Sequence, residues 1–116
     1  MCLYTNIKTP LIATYLIRVW KRLIKTDNGF TTPYQYVAVK VGESLKALDP
    51  DAEAHCIGAE GVHAYITQDK AEKNKCYDEV ITEWEIPAGA KYWLGDSFSS
   101  GEIAATEMKF IKVCED

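Results

Sequence analysis

Apolar and polar positions alternate with a period of two along much of this chain, the signature of strands that bury one face. The cleanest run is residues 79–86 (EVITEWEI), which points Val80, Trp84 and Ile86 inward and Glu79, Glu83 and Glu85 outward. Residues 34–41 (YQYVAVKV) place Val37, Val39 and Val41 on one face, and Gly42 ends that strand. Residues 62–66 (VHAYI) predict a short strand with Val62, Ala64 and Ile66 together and His63 on the opposite face. A short strand over 90–94 and a closing strand over 103–113, with Met108 and Phe110 on one face, complete the set.

Punctuation between these runs comes from turn formers. Asp27-Asn28-Gly29, Asp49-Pro50-Asp51 and Pro87-Ala88-Gly89 each predict a turn. Residues 43–60 read as irregular, and residues 95–101 (GDSFSSG) as a surface hairpin loop. One short helix is expected over 68–75, because Thr67 can cap it, Asp69 falls in its first turn, and Lys73 and Lys75 fall at its end. Residues 11–25 carry two patterns at once. Apolar positions 11, 12, 15, 16, 19, 20, 23 and 24 approach a helical period, with Thr9-Pro10 as a cap and first turn. The β-branched and aromatic content and the turn that follows favour a strand over about 16–25. Residues 1–15, interrupted by Pro10, read as an N-terminal arm, and 16–116 as one domain.

Composition narrows the class. A chain of 116 residues, 47% hydrophobic and 26% charged, has the makeup of one globular domain. The apolar run Leu11 to Ile17 ends at Arg18, too short to span a bilayer, and no cleavable leader is expected. Cys2, Cys56, Cys76 and Cys114 include no CxxC pair, so four reduced thiols are expected, in a protein of the cytoplasm or, if phage-encoded, of the host cytoplasm or the virion. The net charge of −4 conceals an asymmetry: residues 1–26 carry Lys8, Arg18, Lys21, Arg22 and Lys25 and no acid, while all seventeen acids lie beyond them.

The segment Gly61-Val62-His63-Ala64-Tyr65-Ile66-Thr67-Gln68-Asp69-Lys70-Ala71-Glu72 resembles the G-[IV]-H-[FA]-[FY]-x-T-x-[ED]-x-A-[EV] signature of a small uncharacterised phage and bacterial domain, often found beside pentapeptide repeats. Val41-Gly42, Cys56 ahead of Gly61, and the run Trp84 to Lys91 resemble that domain's usual context, so the likeness covers roughly residues 16–113 and leaves residues 1–15 outside it. The resemblance implies the fold and a phage or bacterial origin, tips residues 16–25 toward strand, and implies no mechanism.

Candidate chemistry is sparse. His63 reads first as a packed, hydrogen-bonded histidine, since no nucleophile neighbours it in sequence. With Tyr65 and Tyr77 it forms a candidate ligand pocket. Among His55, Cys56, His63 and Cys76 the only close pair is adjacent, a poor chelate, so no metal is expected, and no cofactor. No Gly-Lys-Ser/Thr phosphate loop and no Gly-x-Ser-x-Gly elbow occur. Gly61 to Tyr77 is faintly similar to a stretch of ADP-ribosyltransferases, for which Glu102 or Glu107 would supply the acid. The basic segment 18–25 would put Arg18, Trp20 and Arg22 on one strand face. With Lys25 they form the candidate partner-binding surface, whose charge and aromatic area suit a protein partner. Nucleic acid is disfavoured, because the rest of the chain is acidic.

The expectation is therefore an α+β domain: a mostly antiparallel twisted sheet of five to six strands with one short helix. Its expected role is that of a non-catalytic phage-type accessory protein that binds a protein partner, self-associates, or works within a larger assembly. An ADP-ribosyltransferase-like enzyme and a small-ligand-binding counter-defence protein are the alternatives.

Overall fold

A computed structural model describes residues 10–27, 29–32, 37–47, 63–95 and 101–114. Ten strands and one helix occur among them, in the order β1 (Leu11–Ile12), β2 (Ile17–Thr26), β3 (Gly29–Thr31), β4 (Ala38–Val39), β5 (Ser44–Lys46), β6 (His63–Tyr65), α1 (Gln68–Lys73), β7 (Glu79–Ile86), β8 (Lys91–Leu94), β9 (Glu102–Ala105) and β10 (Glu107–Val113). They form one sheet in the spatial order β1-β8-β9-β6-β2-β7-β10-β5, with β3 on β2 and β4 on β3. Each of these pairings is antiparallel. The single-domain, mostly antiparallel architecture with one short helix is as expected. The strand number is not: among the described residues the sheet has ten strands and does not close.

The excess arises where one sequence run serves two partners. Residues 103–113, expected as one strand, break at Thr106. The Thr106 N–H donates to the Lys91 carbonyl while its own carbonyl accepts from the Ala47 N–H. Thr106 thus hands the chain from β8 on one side to β5 on the other. The helical alternative for residues 11–25 is overturned. The Asp27–Gly29 turn folds β2 back on β3, with Gly29 at φ 135°, and pairing along all of β7 holds Ile17 to Ile24 extended. Leu11 and Ile12, in the stretch read as an arm, pair with Tyr92 and Lys91, and Ala13 is buried.

The main core lies on one face of the sheet, where Val19, Leu23, Trp84, Ile86, Met108 and Phe110 are buried together. Trp84 and Phe110 stack at 4.9 Å. Inside this core the Trp84 indole N–H donates to Thr82 Oγ1, whose hydroxyl donates to the Lys21 carbonyl. Every polar atom of that chain is satisfied, as burial demands. Residues 37–41, the described part of the run 34–41, depart from expectation: Val39 is buried, but Val37 and Val41 are exposed, and among these residues the strand covers Ala38–Val39.

The opposite face is covered over part of its width by α1, two residues shorter than expected. Thr67 Oγ1 accepts from the Lys70 N–H as the N-cap. Asn74 closes the other end, its side chain donating to the Lys70 carbonyl. Ala71 is fully buried, and its small side chain lets the helix lie close to Tyr65 and Ile81. Glu79 and Glu83, expected outward in solvent, do lie on the face opposite Trp84, but both are buried there. Alternation gave the correct face and missed the cover over it.

Candidate functional site

Register determines which side chains meet beneath α1. Trp20 pairs with Tyr65 on one side and Glu83 on the other, Arg22 with Ile81, and Ile24 with Glu79. Tyr65 pairs with Glu102, and His63 with Ala104. Side chains of directly paired residues share a face. Trp20, Arg22, His63, Tyr65, Glu79, Glu83 and Glu102 are therefore gathered on one side of the sheet.

A buried ion pair and a buried hydrogen bond organise this face. Arg22 Nη1 lies 3.1 Å from Glu79 Oε1 and donates to the Asn74 carbonyl at 2.7 Å. The Cys76 N–H donates to the same Glu79 oxygen at 2.7 Å. The Arg22 guanidinium also sits 5.8 Å from the centre of the Tyr65 ring. Arg22 thereby ties the segment that follows α1 to the middle of the sheet. The second contact is His63 Nε2 to Glu102 Oε1 at 3.0 Å, a diagonal cross-strand pair with both side chains about nine-tenths buried. An ionised carboxylate only accepts, so Nε2 carries the proton. The His63 ring meets Tyr65 edge-to-face at 5.6 Å.

Lys21 points to the other face, into the main core beside Val19 and Leu23, and its Nζ donates to the His63 carbonyl at 2.6 Å. Burial, and secondarily the Arg22 charge, brings its ammonium down to about 7. Burial likewise holds His63 below its ordinary value; the hydrogen bond to Glu102 opposes this and the Lys21 charge reinforces it.

The structure separates the residues of both candidate sites. Arg18, Trp20 and Arg22 share a face as expected, yet only Arg18 and Lys25 present side chains to solvent. Arg22 is buried and Trp20 half-buried. His63 and Tyr65 are in contact, whereas Tyr77 stands fully exposed on the turn after α1. Glu107 is half-buried on β10. Among the described residues no group of three His, Cys, Asp or Glu could hold a metal ion. Cys76 and Cys114 are free thiols, and Cys2, Cys56 and His55 lie outside the described residues. Lys21, Glu79 and Glu83 were not singled out from the sequence. Lys21 did leave a signal, since alternation along β2 puts a lysine between Val19 and Leu23 on an otherwise apolar face.

No family model, no curated protein and no solved structure matches this chain. Among the described residues no helix is long and apolar enough to cross a membrane.

Proposed function

We propose that this protein acts without catalysis, as an accessory protein that binds a protein partner by adding one of the partner's extended segments to the outer edge of β1. The observation that supports this is the contrast between the two ends of the sheet. At the β5 end, Glu43 and Lys46 are exposed and charged, a device that discourages strand addition. At the β1 end, Leu11, Ile12, Tyr15, Leu16 and Leu94 are exposed, and β1 itself bears no charge. Ala13 directs both its N–H and its carbonyl at the Gly89–Ala90 turn. By strand alternation, Ile12 directs its own pair away from β8. Among the described residues no strand pairs with that edge of β1, and outward backbone groups flanked by apolar side chains are what strand addition uses, with the main chain supplying affinity and the side chains specificity.

Proline at position 12 tests this, because it removes the outward N–H and leaves the β1–β8 ladder intact. A photo-crosslinking residue at position 15 should join one partner species in cells that make the protein, and Ile12→Pro should abolish that adduct without lowering the melting temperature. The same residue at position 46 should give none. Adducts of equal yield at 15 and 46, or insensitive to Ile12→Pro, would remove the proposal.

The His63–Glu102 pair favours a second reading, an ADP-ribosyltransferase-like enzyme, because a carboxylate that orients a histidine is a common catalytic arrangement. Its burial, and the distance of Tyr77 from contact, weigh against access by a substrate. Calorimetric titration with NAD separates the two readings: binding heat that Glu102→Gln removes would support the enzyme.

A further inference from the structure

The β10–β7 pairing slips by one residue. Lys109 pairs with Glu85 and Phe110 with Trp84, but Lys112 then pairs with Glu83 and Val113 with Thr82, leaving Ile111 as the extra residue of a bulge. Without the slip Lys112 would follow Met108 and Phe110 onto the core face, opposite Thr82. The bulge carries it to the α1 face instead and leaves Val113 to pack against the core. Bulges often re-aim a side chain in this way, and they cluster near binding sites.

Lys112 now stands directly across from Glu83, a pairing of opposite charges that normally closes. It does not close here. The ion pair of Glu83 is with Arg18, whose Nε lies 3.6 Å from Oε2, beyond hydrogen-bond length, and whose side chain is 57% exposed. The Glu83 side chain is itself only 10% exposed. Among the described residues, its carboxylate thus has no hydrogen-bonding donor, a costly state for a buried charge. Between the two charges lies a half-open depression of about 430 Å3, lined by Gln68, Glu83, Lys112, Val113 and Cys114. That volume lies within the range of small-molecule sites. The depression therefore offers a buried anion on one wall, an exposed cation on the opposite wall, and the Gln68 amide as both donor and acceptor.

We propose that this depression binds a small zwitterion of amino-acid size, with its ammonium on Glu83 and its carboxylate on Lys112. Such a ligand supplies the donor that Glu83 lacks and bridges the gap that the bulge opens. The site is separate from the β1 edge and does not depend on partner binding there.

The test is a titration of the isotope-labelled full chain, followed by amide NMR, with L-alanine, L-lysine and L-glutamate as zwitterions and n-butylamine and butyrate as single-charge controls. At least one zwitterion should saturate shifts at Gln68, Glu83, Lys112 and Cys114, with each control binding about tenfold or more weakly, the effect of losing one charge contact. Lys112→Met should weaken binding by a similar factor. Lys112 is exposed, so this variant keeps the fold and the test holds even if Glu83→Gln does not fold. No saturable shift up to ~50 mM, a range that reaches very weak sites, would overturn the proposal. So would butylamine binding as tightly as the zwitterions, or binding unchanged in Lys112→Met.

Discussion

Lys21 and His63 meet where the edge of β2 changes partner. Nζ of Lys21 donates to the His63 carbonyl at 2.6 Å, at the place where β6, paired at Trp20, gives way to β3, paired from Ile24 onward. A sheet that forks in this way leaves backbone groups at the fork without ladder partners, and a buried amine from β2 itself satisfies one of them. Arg22 does the corresponding work on the opposite face, where it bonds the Asn74 carbonyl. Two consecutive cations thus reach from one strand into the two layers on either side of it.

Stability should depend on pH through Lys21. Its folded value, about 7, lies below the 10.5 of an unperturbed lysine. Between these values the unfolded chain binds more protons, so stability rises with pH from about 7 to about 10.5, and this contribution is lost as pH falls to 7. Lys21→Met removes it. The stability lost in Lys21→Met, measured by urea denaturation, should therefore be larger at pH 9.5 than at pH 6.5. An equal loss at both would contradict the assignment.

His63 contributes in a lower window. Its folded value lies below 6.5, chiefly through burial. The unfolded chain therefore takes up the extra proton as pH falls below 6.5, and stability declines there. Glu102→Gln removes the influence that raises the His63 value, so the imidazole midpoint followed by NMR should move still lower. An upward movement would mean that the carboxylate does not act on His63 as the 3.0 Å contact implies.

The Arg22–Glu79 pair should be far costlier to break than to replace. Arg22→Met leaves the Glu79 carboxylate buried without its cation and should cost about 3–5 kcal/mol. Adding Glu79→Leu should restore most of that loss, because two apolar side chains tolerate the site better than one stranded charge. Urea denaturation of the single and double variants measures both; equal stability of the two would refute the pairing.

Thr82→Val keeps the shape of a core side chain and removes the hydroxyl that links the Trp84 indole to the Lys21 carbonyl. The buried indole N–H is then orphaned, at a cost of about 1–3 kcal/mol. The Trp84 indole resonance should also show faster hydrogen exchange than in the parent protein.

Local rules made part of this structure legible in the sequence. Val80, Trp84 and Ile86 face the core, Thr67 caps a helix, and Asp27 to Gly29 turns the chain, because alternation, capping and turn chemistry each act within a few residues. Alternation reports which face a side chain takes, but not what covers that face. Glu79 and Glu83 were therefore expected in solvent, whereas α1 and the segment after it bury them. The fork at β2, the transfer at Thr106 and the slip at Ile111 depend on residues distant in sequence, so no local pattern announces them. His63 meets Glu102 across 39 positions, and only the β6–β9 register joins them.

The β2–β7 ladder has a consequence for how the chain is made. Ile17 to Ile24 pair with residues that end at Ile86, so the central strand of the sheet must wait for most of the chain to be synthesised. Closing so long a loop precedes any reward from pairing, which slows folding. Until Glu79 to Ile86 emerge, β2 exposes Val19 and Leu23 beside a bare β7 edge, a hazard for intermolecular pairing on the ribosome. The closely spaced cations Arg18, Lys21, Arg22 and Lys25 suit a gatekeeper role at that stage, since like charge would hold unfinished copies apart before Lys21 and Arg22 are buried.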